Sequence, residues 1–218
     1  MGKIEKGILG AISGLVGTVV GARWRNVDVL RSRPRKSRKP KTENQLEIQS
    51  RFKLVSDFLN KISSYIKLGY QSSISGPTAT NTALSYHLKN AVLGTYPDFT
   101  LDYSKVKLSN ENSQKILPLP EATTTLLPLN KIKVEWSNPT GVVDESDDLD
   151  VLHALVYSPE KDMFISPGFL PTRIEQTFTI TVPRMLNTSV VHMWAFFASA
   201  DGKRVSRTSY LGQFTTTN

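Results

Sequence analysis

The chain has 218 residues, no cysteine, 39% apolar content and a formal net charge of +8. That length suits one mid-sized domain with appendages or two small domains, with enough apolar residues for a sizeable core, and the missing thiols exclude disulfides, thiolate metal sites and cysteine nucleophiles together. The charge excess sits in the first 41 residues, where eleven Lys or Arg stand against two acids, while residues 42–218 carry sixteen against seventeen.

Lys3 and Lys6 precede an apolar stretch, residues 7–22, that superficially matches a secretory signal. Glycines at Gly7, Gly10, Gly14, Gly17 and Gly21 weaken it as an inserting helix. The stretch is also shorter than the ~20 apolar residues a bilayer span needs, so neither a cleaved signal nor a transmembrane span is expected. Gly2 invites N-myristoylation, but Lys6 occupies the place that motif reserves for Ser or Thr. Two local structures suit residues 7–21. The glycine spacing would line one helix face open to close backbone packing, although each glycine costs a helix up to about 1 kcal/mol against Ala. Residues 17–24 and 27–32 are instead β-rich runs around Arg25 and Asn26, which reads as a hairpin. The expectation is a short helical start followed by that hairpin. The run Arg31, Arg33, Arg35, Lys36, Arg38, Lys39 and Lys41 follows, interrupted by Ser32, Pro34, Ser37 and Pro40; it cannot bury itself and needs water or an anionic partner.

Thr42 with Gln45 forms a capping box, and Glu43 lies in the first turn where the helix dipole favours an acid. Apolar residues recur at Ile48, Phe52, Val55, Leu59, Ile62 and Ile66, which predicts one long amphipathic helix ending near Gly69. A second helix is expected through Leu84, His87, Leu88, Ala91 and Val92, stopped by Gly94 and Pro97. From Phe99 the period becomes alternating: Ile132, Val134 and Trp136 face one way between Lys131, Lys133 and Glu135, as do Ile174, Phe178, Ile180 and Val182 between polar residues. Further strands are expected at 117–126, 151–158, 163–166, 190–199 and 204–214, with Asp201 and Gly202 turning the last pair. The fold class is α+β. An N-terminal β-hairpin arm (1–41) and a helical segment (42–98) precede an antiparallel immunoglobulin- or fibronectin-like β-sandwich (99–218).

Catalytic signatures are missing: there is no Gly-x-Ser-x-Gly, phosphate loop or zinc spacing, and His87, His153 and His192 fall on a helix and two strands. No cofactor, resident metal or small-molecule substrate is expected. Asp144, Glu145, Asp147, Asp148 and Asp150 form an acidic cluster that lacks the EF-hand turn glycine. It reads as a solvated loop, or as one receiving the basic arm of a neighbouring subunit. Exposed aromatics for carbohydrate binding would be Tyr157, Phe164, Phe169 and Tyr210, residue types that sandwiches usually bury.

The opening Gly7-Ile-Leu-Gly10, the run from Ser13 and Gly14 through Gly17 to Gly21, Trp24 and the Arg31-Ser-Arg-Pro34 stretch resemble those of an uncharacterised bacterial family of similar length, a domain of unknown function. The resemblance continues through Gln45, Arg51 and Phe52, through Asn90, Ala91 and Val92, through Gly94, Thr95, Tyr96 and Pro97, and over residues 99–109. It implies a unit that includes the arm and carries over no chemistry. The order of parts also looks like that of phage-type virion proteins and other self-assembling bacterial structural proteins. The expected function is non-enzymatic self-assembly as a homo-oligomer. In that reading Gly7, Gly10, Gly14, Gly17, Gly21 and Trp24 pack against a neighbour, and synthesis is cytoplasmic with incorporation into a virion or extracellular assembly. The alternatives are nucleic-acid or other polyanion binding through the basic run, and an exported adhesive or carbohydrate-binding module.

Overall fold

The computed structural model describes residues 3–4, 10–24, 27–35, 39–71, 76–110, 119, 122–138 and 149–217. The chain divides into two compact units: residues 1–46 with 73–76, and residues 47–72 with 77–218.

In the first unit β-branched residues and glycines build an antiparallel sheet in the order β1-β2-β3-β4, from β1 (Lys3–Ile4), β2 (Ile12–Val16), β3 (Val19–Trp24) and β4 (Val27–Ser32). The expected hairpin is the β3–β4 pair, with Trp24 opposite Val27. The expected helical start is not found over Ile12–Val16, which is a strand. Gly14 and Gly17 have φ of 97° and 57°, in the left-handed region that no right-handed helix contains. Gly17 turns β2 into β3, and Gly21 lies opposite Gly14 where a Cβ would overlap the Ile12 carbonyl oxygen. The spacing that resembled a helix face serves close strand approach instead.

Helix α1 (Glu43–Lys61) starts with the predicted capping box: Gln45 N–H donates to the Thr42 hydroxyl (3.4 Å) and Thr42 N–H to the Gln45 side chain (3.3 Å). The single long helix is broken at Ile62, before the pair Ser63 and Ser64, and resumes as α2 (Ser63–Tyr70). Such small polar pairs are common kink sites. Helix α3 (Ala79–Asn90) is capped by Thr78, whose hydroxyl accepts from Asn81 N–H. It stops before Val92, which begins the separate hairpin of β5 (Val92–Thr95) and β6 (Asp98–Leu101). Gly94, with φ of 91°, belongs to that hairpin and is not a helix stop.

Among the described residues the sandwich has seven strands: β7 (Thr123–Leu127), β8 (Lys131–Glu135), β9 (Val151–Ser158), β10 (Met163–Ile165), β11 (Thr177–Thr181), β12 (Val190–Ala198) and β13 (Ser209–Thr215). One sheet is ordered β7-β8-β11 and the other β10-β9-β12-β13, all antiparallel. This connectivity is fibronectin type III-like. Ile174, expected to alternate into the core, sits exposed in a 3-10 turn, Arg173–Glu175, and the strand proper starts at Thr177. Between the sheets lie Ile132, Val134, Trp136, Phe178, Ile180, Leu152, Val156, Met193, Ala195 and Phe197.

A second core covers the outer face of the larger sheet, where Leu155, Tyr157, Trp194 and Phe196 meet Val55, Phe58, Leu59, Ile62 and Ile66 of the helices. The second unit is therefore three layers deep, and β12 is apolar apart from His192 because it is buried on both faces. Lys61 pairs with Asp162 in the β9–β10 turn, which also accepts from the Tyr157 hydroxyl (3.1 Å), so the end of α1 is tied to the sheet it covers.

Candidate assembly surface

Among the described residues of the first unit only Gly21 is buried. Most apolar side chains of its described residues face water: Leu15, Val16, Val19, Val27, Val29 and Leu30, with Trp24 53% exposed at the end of β3, while Ile12, Val20 and Ala22 are half-buried. Every residue of β4 is exposed. Among the described residues this sheet has apolar groups on both faces and no fully buried apolar side chain, unlike sheets stabilised by a covering layer.

Of the candidate glycines, Gly14, Gly17 and Gly21 are brought together around the β2–β3 turn; Gly10 precedes β2, and Gly7 lies outside the described residues. Arg31 is on the edge strand, and Arg33 and Arg35 follow it. With Gly17, Thr18, Ser32 and Pro34 the last two line an open concavity of about 900 Å³. Arg33 N–H donates to the Thr18 carbonyl (2.8 Å), extending the β3–β4 ladder by one bond. Lys39 and Lys41 are exposed; Lys36 and Arg38 lie outside the described residues.

Asp144, Glu145, Asp147 and Asp148 also fall outside them. Asp150 does not belong to a solvated loop: its side chain is 1% exposed and pairs at 3.6 Å with Arg173, which is fully buried. Arg173 N–H donates to the Asp150 carbonyl (2.8 Å), its guanidinium lies 3.9 Å over the Phe197 ring, and its carbonyl accepts from the Trp136 indole N–H (3.1 Å). An acid at the end of an acidic run is thus consumed inside the sandwich. Arg173, between Thr172 and Ile174, carries no sequence signal that would mark it as the buried partner.

The three histidines are packed within the second unit. His87 donates from Nδ1 to the Ala83 carbonyl (2.7 Å) and accepts the Lys107 backbone N–H at Nε2 (3.2 Å), His153 stacks on Phe196, and His192 lies 2.8 Å from the Tyr210 hydroxyl. Burial holds all three below the ordinary value of 6.5, the Ala83 bond opposing it for His87. Above about pH 6.5 both folded and unfolded chains hold them neutral, and stability is complete. As the pH falls from there, the unfolded chain takes up protons that the folded chain refuses, and stability is lost, most steeply through the deeply buried His87, at up to about 1.4 kcal/mol per pH unit for that residue. Denaturant titrations between pH 7.5 and 5 should therefore show falling stability, and His87→Gln should flatten the slope. A stability independent of pH over this range would contradict the packing of His87.

Among the described residues no helix is long and apolar enough to cross a membrane. The second unit thus defines the class: an α+β protein in which helices cover the outer face of a fibronectin type III-like sandwich. The chain belongs to a family of unknown function, DUF6266, whose model matches residues 11–212. That span begins just before β2, so most of the N-terminal sheet is part of the family's common unit. No curated protein matches the chain.

Proposed function

We propose that this is a non-enzymatic structural protein that self-associates through its N-terminal sheet. The observation that carries the reading is the sheet β1–β4, whose Leu15, Val16, Val19, Trp24, Val27, Val29 and Leu30 are all exposed while, among its described residues, only Gly21 is buried. Burying apolar surface yields about 25 cal/mol per Å², and a large exposed apolar patch marks an interaction surface. The second unit has two cores of its own and offers a stable body to which such a surface can be attached.

Light scattering tests this on the full chain and on Gly21→Val, whose side chain would collide with the Ile12 backbone and break the β2–β3 pairing. The full chain is expected to form assemblies, and the variant to fall to monomer with the melting of the second unit unchanged. A monomeric full chain at every concentration and salt would refute the reading. It would favour the second one, polyanion binding through Arg31, Arg33 and Arg35, which are exposed in sequence at the edge of the same sheet. That alternative predicts steeply salt-dependent affinity for single-stranded DNA regardless of sequence.

A further inference from the structure

We infer that the edge strand β4 of one copy adds to the free edge of β11 in a neighbouring copy, extending the β7-β8-β11 sheet across the interface. The inference rests on the self-association reading and names its docking site. Four observations converge on it.

The first is an open sandwich edge. On one side of the sandwich β13 and β7 are bridged, the Thr124 hydroxyl donating to the Leu211 carbonyl. On the other side β10 and β11 are the outer strands of their sheets, and between them runs a groove of about 390 Å³ lined by residues that include Ile165, Pro167, Phe169, Phe178 and Ile180. Strand β10 is only three residues long and is followed by Pro167 and Pro171, whereas β11 carries no charge, proline or bulge. An edge of that kind is a template for strand addition.

The second is the phase of the hydrogen bonds. Trp136 N–H donates to the Gln176 carbonyl and Val182 N–H to that of Asn130, so the β8 ladder uses the even-numbered residues Phe178 and Ile180. The main-chain groups of Thr177, Thr179 and Thr181 therefore point to the groove side. In the arm, the bond from Arg33 to Thr18 sets the β3 ladder on Val27, Val29 and Arg31, leaving those of Asp28, Leu30 and Ser32 on the free edge. Three outward residues on each strand match in an antiparallel register with Leu30 opposite Thr179.

The third is the side-chain face. Opposed residues share a face, and Thr177, Thr179 and Thr181 are exposed while Phe178 and Ile180 point inward. In this register Val27 and Val29 fall opposite Val182 and Ile180, on the inward side where the groove is apolar, and Arg31 falls opposite Phe178 on that same side, where Glu175 lines the groove.

The fourth is charge. The start of β11 is flanked by Glu175, in the groove lining, and Glu135, paired with Lys133; its end lies against Lys131, the partner of Thr181, and near Arg184. Strand β4 begins with Asp28, which pairs with Arg23 at 3.9 Å, and ends with Arg31 followed by Arg33. Antiparallel addition sets the Asp28 end of β4 at the Lys131 end of β11 and places Arg31 and Arg33 opposite Phe178 and Gln176, on the groove side that Glu175 lines; parallel addition would oppose like charges. Because donor and acceptor surfaces differ, the contact is head-to-tail and leads to rings or filaments larger than a dimer.

The native chain has no cysteine, so single substitutions report cleanly. Leu30→Cys and Thr179→Cys proteins, made separately and mixed under mild oxidation, should give the mixed disulfide, since hydrogen-bonded antiparallel partners lie about 5.5 Å apart at Cα, within disulfide range. Thr179→Pro removes a groove-side donor without touching the β8 ladder and should weaken assembly about tenfold or more while the monomer still folds. If that variant does not fold, the mixed disulfide alone decides. Leu30→Cys homodimers in place of the mixed species would overturn the proposal by showing that β4 edges pair with each other. Assembly with no mixed disulfide would overturn it while self-association stands, and a monomeric full chain would overturn both.

Discussion

Asp150→Ala should cost the second unit about 3–5 kcal/mol, because it leaves the Arg173 guanidinium inside the sandwich without its carboxylate. For a unit of this size each kcal/mol is worth roughly 2–4 °C, so the melting temperature should drop by about 6–20 °C. The pair is not expected to be a net stabiliser, since desolvating two charges offsets most of their attraction. The double variant Asp150→Ala with Arg173→Met should therefore recover most of the loss, the thioether taking the guanidinium's place against Phe197. Thermal melts of the four proteins in this cycle measure the coupling. A single Asp150→Ala that melts within a degree or two of the native chain would mean that Arg173 does not depend on this carboxylate.

Thr208→Val should cost about 3 kcal/mol although it changes the side-chain volume very little. The Thr208 hydroxyl accepts from the backbone N–H groups of Leu108 (2.9 Å) and Ser109 (2.8 Å) and lies 2.8 Å from the Ser109 hydroxyl, all in a buried setting. Removing it leaves two buried N–H donors without an acceptor, each costing about 1–3 kcal/mol. The same bonds hold residues 108–109 beside Gly69 of α2, where a Cβ would overlap the Leu108 carbonyl oxygen. Thr208→Ser keeps the acceptor and should stay within about 1 kcal/mol of the native chain, since only a methyl group is lost. Equal losses from Val and Ser would show that packing, and not the hydroxyl, is what matters at this position.

The most legible parts of the chain were those whose local pattern already matched their tertiary surroundings. The β8 alternation of Ile132 and Val134 with Lys131, Lys133 and Glu135 is readable because one face meets the core and the other meets water. The Thr42 capping box is readable because it is satisfied within four residues. The helix break at Ile62 was hidden because Ile62 and Ile66 continue the apolar stripe on both sides of it, and both are buried in one core. The glycines of the opening misled for a related reason: spacings of three and four suit a helix face, and only the positive φ at Gly14 and Gly17 selects the strand and turn. Asp150 was unreadable as a buried ion because its partner lies 23 positions away with no charge pattern linking the two.

For the candidate surface, the sequence by itself determined that the N-terminal 41 residues hold the charge excess, that Val27–Ser32 is β-forming, and that the later part of the chain is a sandwich of short strands. These follow from composition and period, which are local properties. Only the tertiary structure decided that β4 and β11 are edges of their sheets among the described strands, and which main-chain groups each strand turns outward. It also decided which apolar residues find a core and which do not. Val55 and Phe58 are as apolar in sequence as Val27 and Leu30, yet the first two are covered by a sheet and the second two face water. The physical reason is that burial belongs to the partner as much as to the residue, and partners are assigned when distant segments meet.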